Sequence, residues 1–308
     1  MFRGIILVFL GACSFGILST FVKLAYKEGF TLGDVTGTQV FFGLIFLWVM
    51  VLLRQLFGSK SNSTSFREKL QLAAMGTSTG LVSIFYYKCV QTVPASIAIL
   101  LLMQFTWMSL LLDAVIKRRL PKQTQVGMVV LVLIGTCLAG RLFSDKLPEF
   151  DWAGIGYGLL AAISYTVFLA INGKVGNNMH PITKSALLLT GACVLIFTVF
   201  PPVFLVNGAL LNGLFKWGLV LAIFGTVLPP IFYAYGIPKT GLGLSAILSA
   251  AELPVAVLMS RLVLQEEVWP IQWLGVILIL VAILIANWKM IFKRINKARA
   301  VPVAETLY

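Results

Sequence analysis

Long apolar runs, each close to 20 residues and divided by short polar joints, fill the chain from end to end. Ten are read, at about 3–25, 35–56, 68–90, 94–117, 123–142, 152–175, 182–206, 213–237, 241–264 and 270–291. About 20 apolar residues in a helix cover the roughly 30 Å hydrocarbon core of a bilayer, and only a helix or a closed barrel satisfies its own backbone there. The pattern predicts an all-α integral membrane protein of ten transmembrane helices. One joint is long and polar, the Ser- and Asn-rich connection Gly58–Ser65.

Composition narrows the class further. Of 308 residues, 59% are hydrophobic and 11% charged, against roughly 25% charged in soluble domains. The net charge of +13 would point to nucleic acid in a soluble chain. Here the cations sit in short joints, as the positive-inside rule expects. With the N-terminus placed in the cytoplasm, 17 Lys and Arg fall inside and 7 outside. Both termini are then cytoplasmic, in a multi-pass protein of the cell membrane. The basic residues from 293 to 308 read as a cytoplasmic tail, serving orientation ahead of any binding to anionic headgroups. Trp152, Trp217, Trp269 and Trp288 fall near segment ends, where interfacial anchors belong.

Chemistry-bearing residues are sparse. Four cysteines lie singly in different apolar runs, and there is one histidine, His180. No disulfide framework, metal site or cofactor is expected, and an enzyme is disfavoured. No phosphate-cradling motif is present, so transport powered by ATP hydrolysis in this chain is excluded. Leu10-Gly11-Ala12-Cys13 resembles a lipoprotein cleavage box, but the same segment recurs inside the chain, which argues against processing there.

That recurrence is an internal repeat. Gly4…Leu10-Gly11-Ala12-Cys13-Ser14-Phe15 matches Gly154…Leu160-Ala161-Ala162-Ile163-Ser164-Tyr165 at an offset of 150. Ile84-Phe85-Tyr86 matches Ile231-Phe232-Tyr233. Ala98-Ile99-Leu100 matches Ala246-Ile247-Leu248 at an offset of 148, which also pairs Gly127 with Gly275. Five helices per half is an odd number, so the second half must cross in the opposite sense, an inverted-topology repeat. The basic joint Lys117-Arg118-Arg119-Leu120-Pro121-Lys122 and its acidic counterpart Gln265-Glu266-Glu267-Val268-Trp269 agree with opposite sides.

The run Glu252-Leu253-Pro254-Val255, followed by Glu266-Glu267 and Gln272-Trp273-Leu274-Gly275, resembles the drug/metabolite transporter superfamily, in its EamA-type ten-helix branch. The openings Gly4–Phe15 and Gly154–Tyr165 fit the same resemblance, which covers nearly the whole chain. It implies a first repeat at 1–145, a second at 146–292, and a central cavity worked by alternating access. The implied substrate is a small polar or amphipathic metabolite, an amino acid or relative, exported by a secondary-active transporter. Alternatives are a multidrug or organic-cation exporter and a channel-like facilitator. The partners are then the small-molecule substrate, the bilayer and a candidate coupling proton, with no nucleic acid. The chain departs from the pattern at Thr106, where a proline is frequent, and at Gln39, where an arginine is frequent. Helices 4 and 9 lack the paired basic clamp of sugar-phosphate exchangers.

Glu252 leads the site residues. A carboxylate at bilayer depth costs roughly 2.5–3.5 kcal/mol on insertion scales, so it is read as a contact for a substrate ammonium or a proton. Pro254 two residues on predicts a kink. Gln104 stands at the matching place in helix 4, with Trp107 three residues on and sharing its face. Tyr165 and Ser14 lie at mid-depth in helices 6 and 1, beside small residues that equally suit close packing. Tyr86 and Tyr233 are placed toward the far ends of helices 3 and 8, as gates at the two mouths, and Gln39 completes the set.

Overall fold

The computed structural model describes residues 1–57, 65–93, 95–140 and 151–299. The polar connection 58–64, the link 141–150 between the halves and the tail residues 300–308 lie outside the described residues. Thirteen helices follow in order: α1 (Phe2–Lys27), α2 (Leu32–Leu56), α3 (Phe66–Thr92), α4 (Ala95–Leu102), α5 (Phe105–Lys117), α6 (Gln123–Ala139), α7 (Trp152–Lys174), α8 (Pro181–Val199), α9 (Phe215–Leu221), α10 (Leu228–Thr240), α11 (Leu242–Ser249), α12 (Glu252–Val263) and α13 (Pro270–Arg299). Among the described residues there is no strand. Among the described residues eight helical stretches are long and apolar enough to cross a membrane, and Gln123–Ala139 is a shorter apolar helix. The protein is thus all-helical and multi-pass.

The helices begin where the sequence supplies caps. Thr31 and Asp34 exchange a capping box at α2, the Asp151 carboxylate accepts the Ala153 N–H at α7, and His180 with Pro181 opens α8. Each satisfies N–H groups that the first helical turn leaves free.

Four features depart from ten uninterrupted rods. The run at 94–117 is two helices, α4 and α5, broken at Met103-Gln104. The run at 241–264 is likewise α11 and α12, broken at Ala250-Ala251. The third is the run at 182–206, where the helix stops at Val199 because Pro201 and Pro202 cannot continue it; a short 3-10 turn, Val203–Leu205, follows. The fourth is the run at 213–237, which contains a widened π-helical turn at Ala222–Val227. Pro229 and Pro230 supply no N–H to the carbonyls of Gly225 and Thr226, so the regular ladder fails there. At the C-terminus, α13 runs on to Arg299 past the expected end near 291. No Gly or Pro stops it before Pro302, and cations suit a helix C-terminus.

Packing places α1 against α10 and α12, α3 between α7 and α8, and α6 against α13. The α6–α13 crossing is close because a side chain on Gly275 would meet the Gly135 carbonyl at 2.4 Å. Small residues of this kind let membrane helices approach and gain dispersion contact. Gly275 therefore packs on Gly135, while Gly127, its partner in the sequence repeat, has open space around it. The largest apolar cluster joins α1, α5, α7, α10, α11 and α12 around Tyr165, Tyr233 and Leu253.

Candidate functional site

Glu252 is the first residue of α12, immediately after the break at Ala250-Ala251. The break is tight: Ala250 and Ala251 donate to Ile247 and Leu248, three residues back, at 3.3 and 3.1 Å. Pro254 consequently sits in the first turn of α12, where a missing N–H costs nothing. The expected kink at Pro254 is instead a helix restart two residues earlier. The restart points the positive end of the α12 dipole at the Glu252 carboxylate. The first half makes the equivalent break without proline. Thr106 donates its hydroxyl to the Met103 carbonyl at 2.9 Å, and Gln104 Nε2 donates to the Leu100 carbonyl at 3.0 Å. Side chains there compete for carbonyls that a continuous helix would use.

Tyrosine hydroxyls share this region, and that of Tyr165 hydrogen-bonds the Glu252 carboxyl. Those of Tyr86, Tyr165 and Tyr233 are all within electrostatic range of Glu252. Tyr165 and Tyr233 hydroxyls bond each other at 3.2 Å. Rings complete the enclosure: Phe15 packs edge-on to Tyr165 and Tyr233 at 6.1 and 5.9 Å between centroids. Phe105 meets Tyr165 at 4.5 Å, and Phe168 stacks on Tyr165 at 5.7 Å. Tyr233 is fully buried, and Tyr86 sits against the same cluster, so neither marks a mouth of the bundle as the sequence reading expected. Their neighbours Tyr87 and Tyr235 face elsewhere; the Tyr235 hydroxyl meets His180 Nε2 at 3.0 Å.

Within this enclosure Glu252 Oε2 has no hydrogen-bond partner among the described residues, while the neighbouring Ser249 hydroxyl turns to Tyr233. An enclosed polar atom left unpaired costs about 1–3 kcal/mol, more when charged. A ligand group that donates to it recovers that cost.

The remaining predicted residues fall around this centre. Ser14, beside Phe15, donates to the Phe224 carbonyl at 2.7 Å, inside the π-helical turn. Gln39 is buried, takes the Thr226 hydroxyl on its backbone carbonyl at 3.2 Å, and leaves its own Oε1 unpaired among the described residues. Gln104 and Trp107 are brought together, but with each other: the indole N–H donates to Gln104 Oε1 at 2.8 Å, and Trp107 is exposed on the outside of the bundle. The Gln104 amide is therefore committed locally, and α5 reaches Glu252's surroundings through Phe105. Phe105, Phe168 and the Pro229-Pro230 pair escaped the sequence reading. The signal for Phe168 was its position three residues beyond Tyr165, on the same helix face.

Two ion-pair clasps occupy the end of the bundle where α1 finishes. Lys23 bridges to Glu266 at 3.4 Å, and Ser260 also donates to Glu266. Glu28 accepts Lys216 Nζ at 2.8 Å and the Trp217 indole N–H at 2.7 Å. The Lys216 and Trp217 hydrogen bonds hold the Glu28 carboxyl below its usual value. At Glu266 partial burial works upward, but the Ser260 bond and the Lys23 charge outweigh it and the net direction is down.

A multi-pass helical protein whose two halves wrap an enclosed carboxylate in tyrosines has the build of a small-molecule carrier. The sequence matches the EamA-like transporter family twice, over residues 2–141 and 152–288, and the chain belongs to that family. It is therefore a membrane transporter of the drug/metabolite type. No curated protein sequence matches it. A solved structure titled only as the crystal structure of a protein has the same fold, with a TM-score of 0.72 and 14% identity, over 93% of this chain and 98% of that one.

Proposed function

We infer that the chain is a secondary-active carrier of small polar or amphipathic metabolites, an amino-acid or related exporter working by alternating access. One observation carries the reading: the unpaired Glu252 carboxylate oxygen enclosed by Tyr86, Tyr165 and Tyr233. An ammonium or a proton is the group that such an acceptor takes, and aromatic faces favour a cation beside it. The same faces give specific support to a second reading, an organic-cation exporter. A channel-like facilitator fits less well, because the carboxylate is enclosed.

The architecture proposed with this is ten transmembrane helices in two inverted repeats, 1–145 and 146–292, with both termini cytoplasmic in the cell membrane. The exchange of packing partners supports it. The first helix packs on α10, and α7, which opens the second half, packs on α3, the third helix of the first half. Matched helix breaks at Gln104 and Glu252 support it too. The clasps Lys23–Glu266 and Glu28–Lys216 each join the first half to the second, so rocking of one half must break them.

The test is counterflow in liposomes with radiolabelled amino acids and organic amines. Saturable counterflow is the expected result, with Glu252→Gln abolishing it or uncoupling it from pH while the protein still inserts. Flux that never saturates would point to a channel. Wild-type rates and pH dependence in Glu252→Gln would remove the carboxylate from the mechanism.

A further inference from the structure

The joint between α12 and α13 holds two adjacent glutamates with different surroundings. Gln265 takes a left-handed backbone, φ +56°, uncommon for a residue with a side chain. Beyond this turn Glu266 meets Lys23 of α1. Glu267 instead lines an open groove of about 390 Å³ together with Arg261, Trp269 and Trp273. Arg261 Nη1 approaches the Glu266 backbone carbonyl at 3.5 Å. Among the described residues neither Arg261 nor Glu267 forms a salt bridge. One groove therefore presents a cation and an anion that do not neutralise each other.

Exposed apolar residues follow the groove residues along both helices. After Trp273 on α13, Leu274 and Ile277 are 50% and 54% exposed, and Leu262, next to Arg261 on α12, is 65% exposed. Tryptophans at such a boundary sit at headgroup level, and an arginine pairs well with a phosphate.

We propose that this groove binds the zwitterionic headgroup of a phospholipid, with the phosphate on Arg261 and the ammonium on Glu267. The acyl chains run down the exposed faces of α12 and α13. A soluble zwitterion has the same two charges but no use for the apolar track, and an anionic lipid meets repulsion from Glu267. The site is separate from the Glu252 enclosure, and it stands whether or not the transport reading does.

Native mass spectrometry tests it on the whole protein in mild detergent, after equilibration with equimolar phosphatidylethanolamine and phosphatidylglycerol. Wild type is expected to retain phosphatidylethanolamine preferentially. Glu267→Gln should lower the ratio of retained phosphatidylethanolamine to phosphatidylglycerol by about two- to fivefold, the scale of an exposed charge pair. Arg261→Gln should reduce retention of both lipids. Both side chains are exposed, and unchanged melting temperatures would establish that the variants are folded. An unchanged ratio in Glu267→Gln, or equal retention of the two lipids by wild type, overturns the proposal. Displacement of the retained lipid by equimolar free phosphoethanolamine also overturns it, assigning the groove to soluble zwitterions.

Discussion

Gly16 sets how closely α1 approaches the restart of α12. A side chain added there would place its Cβ 2.4 Å from the Glu252 carbonyl oxygen and 2.7 Å from the Val255 Cβ. Ordinary carbon–oxygen contact begins at roughly 3.3 Å, so Gly16→Ala must push the helices apart by about 1 Å. The obstructing carbonyl is backbone and cannot rotate away as a side chain would. Overpacking of this kind costs about 1–3 kcal/mol. For a chain of this size that lowers the melting temperature by on the order of 1–5 °C. The same displacement moves Glu252 relative to Tyr165, so counterflow should fall with stability. Gly127→Ala is the control: nothing lies within 4 Å of its added carbon, and in a helix interior alanine is favoured over glycine by about 0.8–1.0 kcal/mol. Thermal unfolding in detergent and liposome counterflow would be measured for both variants. Wild-type melting and counterflow in Gly16→Ala, or equal damage from Gly127→Ala, would refute the packing argument.

Three further outcomes are expected. Thr106→Pro gives up the backbone and hydroxyl bonds of Thr106 to the Met103 carbonyl and should cost about 1–3 kcal/mol; Leu110→Pro, inside α5 and not in its first turn, should cost more, about 3 kcal/mol or above, and equal melting temperatures would contradict this. Lys184 is almost fully buried and donates to the Asn172 carbonyl at 2.7 Å and Asn177 Oδ1 at 3.0 Å. Lys184→Met should therefore cost about 1–3 kcal/mol through the abandoned carbonyl at the end of α7, and an unshifted melting curve would count against that. Because the Lys216 and Trp217 hydrogen bonds hold Glu28 below its usual value, this clasp stabilises the protein above the ordinary glutamate value and is lost as pH falls through the lowered one. Tryptophan emission, taken as the difference between wild type and Trp217→Phe, should titrate below the ordinary glutamate value; a midpoint at or above it would be the wrong sign.

The membrane-spanning character and the family were legible because hydropathy is a property of whole segments. The membership expected from Glu252–Val255, Glu266-Glu267 and Gln272–Gly275 is the one found over both halves. Glu252 was legible for a similar reason, as a charge whose cost stands out against its neighbours. The break at Gln104 was not, because it is made by hydrogen bonds from Thr106 and Gln104 to carbonyls behind them. A threonine in an apolar run gives no sign of which carbonyl it will take. Helix direction was the other loss. Tyr86 and Tyr87 are neighbours in sequence and in ring contact, and both touch the cluster of Val22 and Ala25 of α1, yet only Tyr86 also reaches the Glu252 cluster. Trp107 was placed inward by its spacing from Gln104 and instead lies outside, since a helix that restarts also resets its facing.

The position of the α12 restart has a mechanical meaning. Twelve residues make a rod of about 18 Å, with Glu252 at its fixed end and the joint bearing Glu266 just past its free end. A tilt of about 10° around Ala250-Ala251 carries the free end roughly 3 Å on that length, comparable to the 3.4 Å separation of Lys23 and Glu266. Near the pivot the same tilt displaces the carboxylate far less. Under the proposed alternating access the Lys23–Glu266 clasp would part while the Glu252 carboxylate is held almost still, as a lever moves most where it is farthest from its fulcrum.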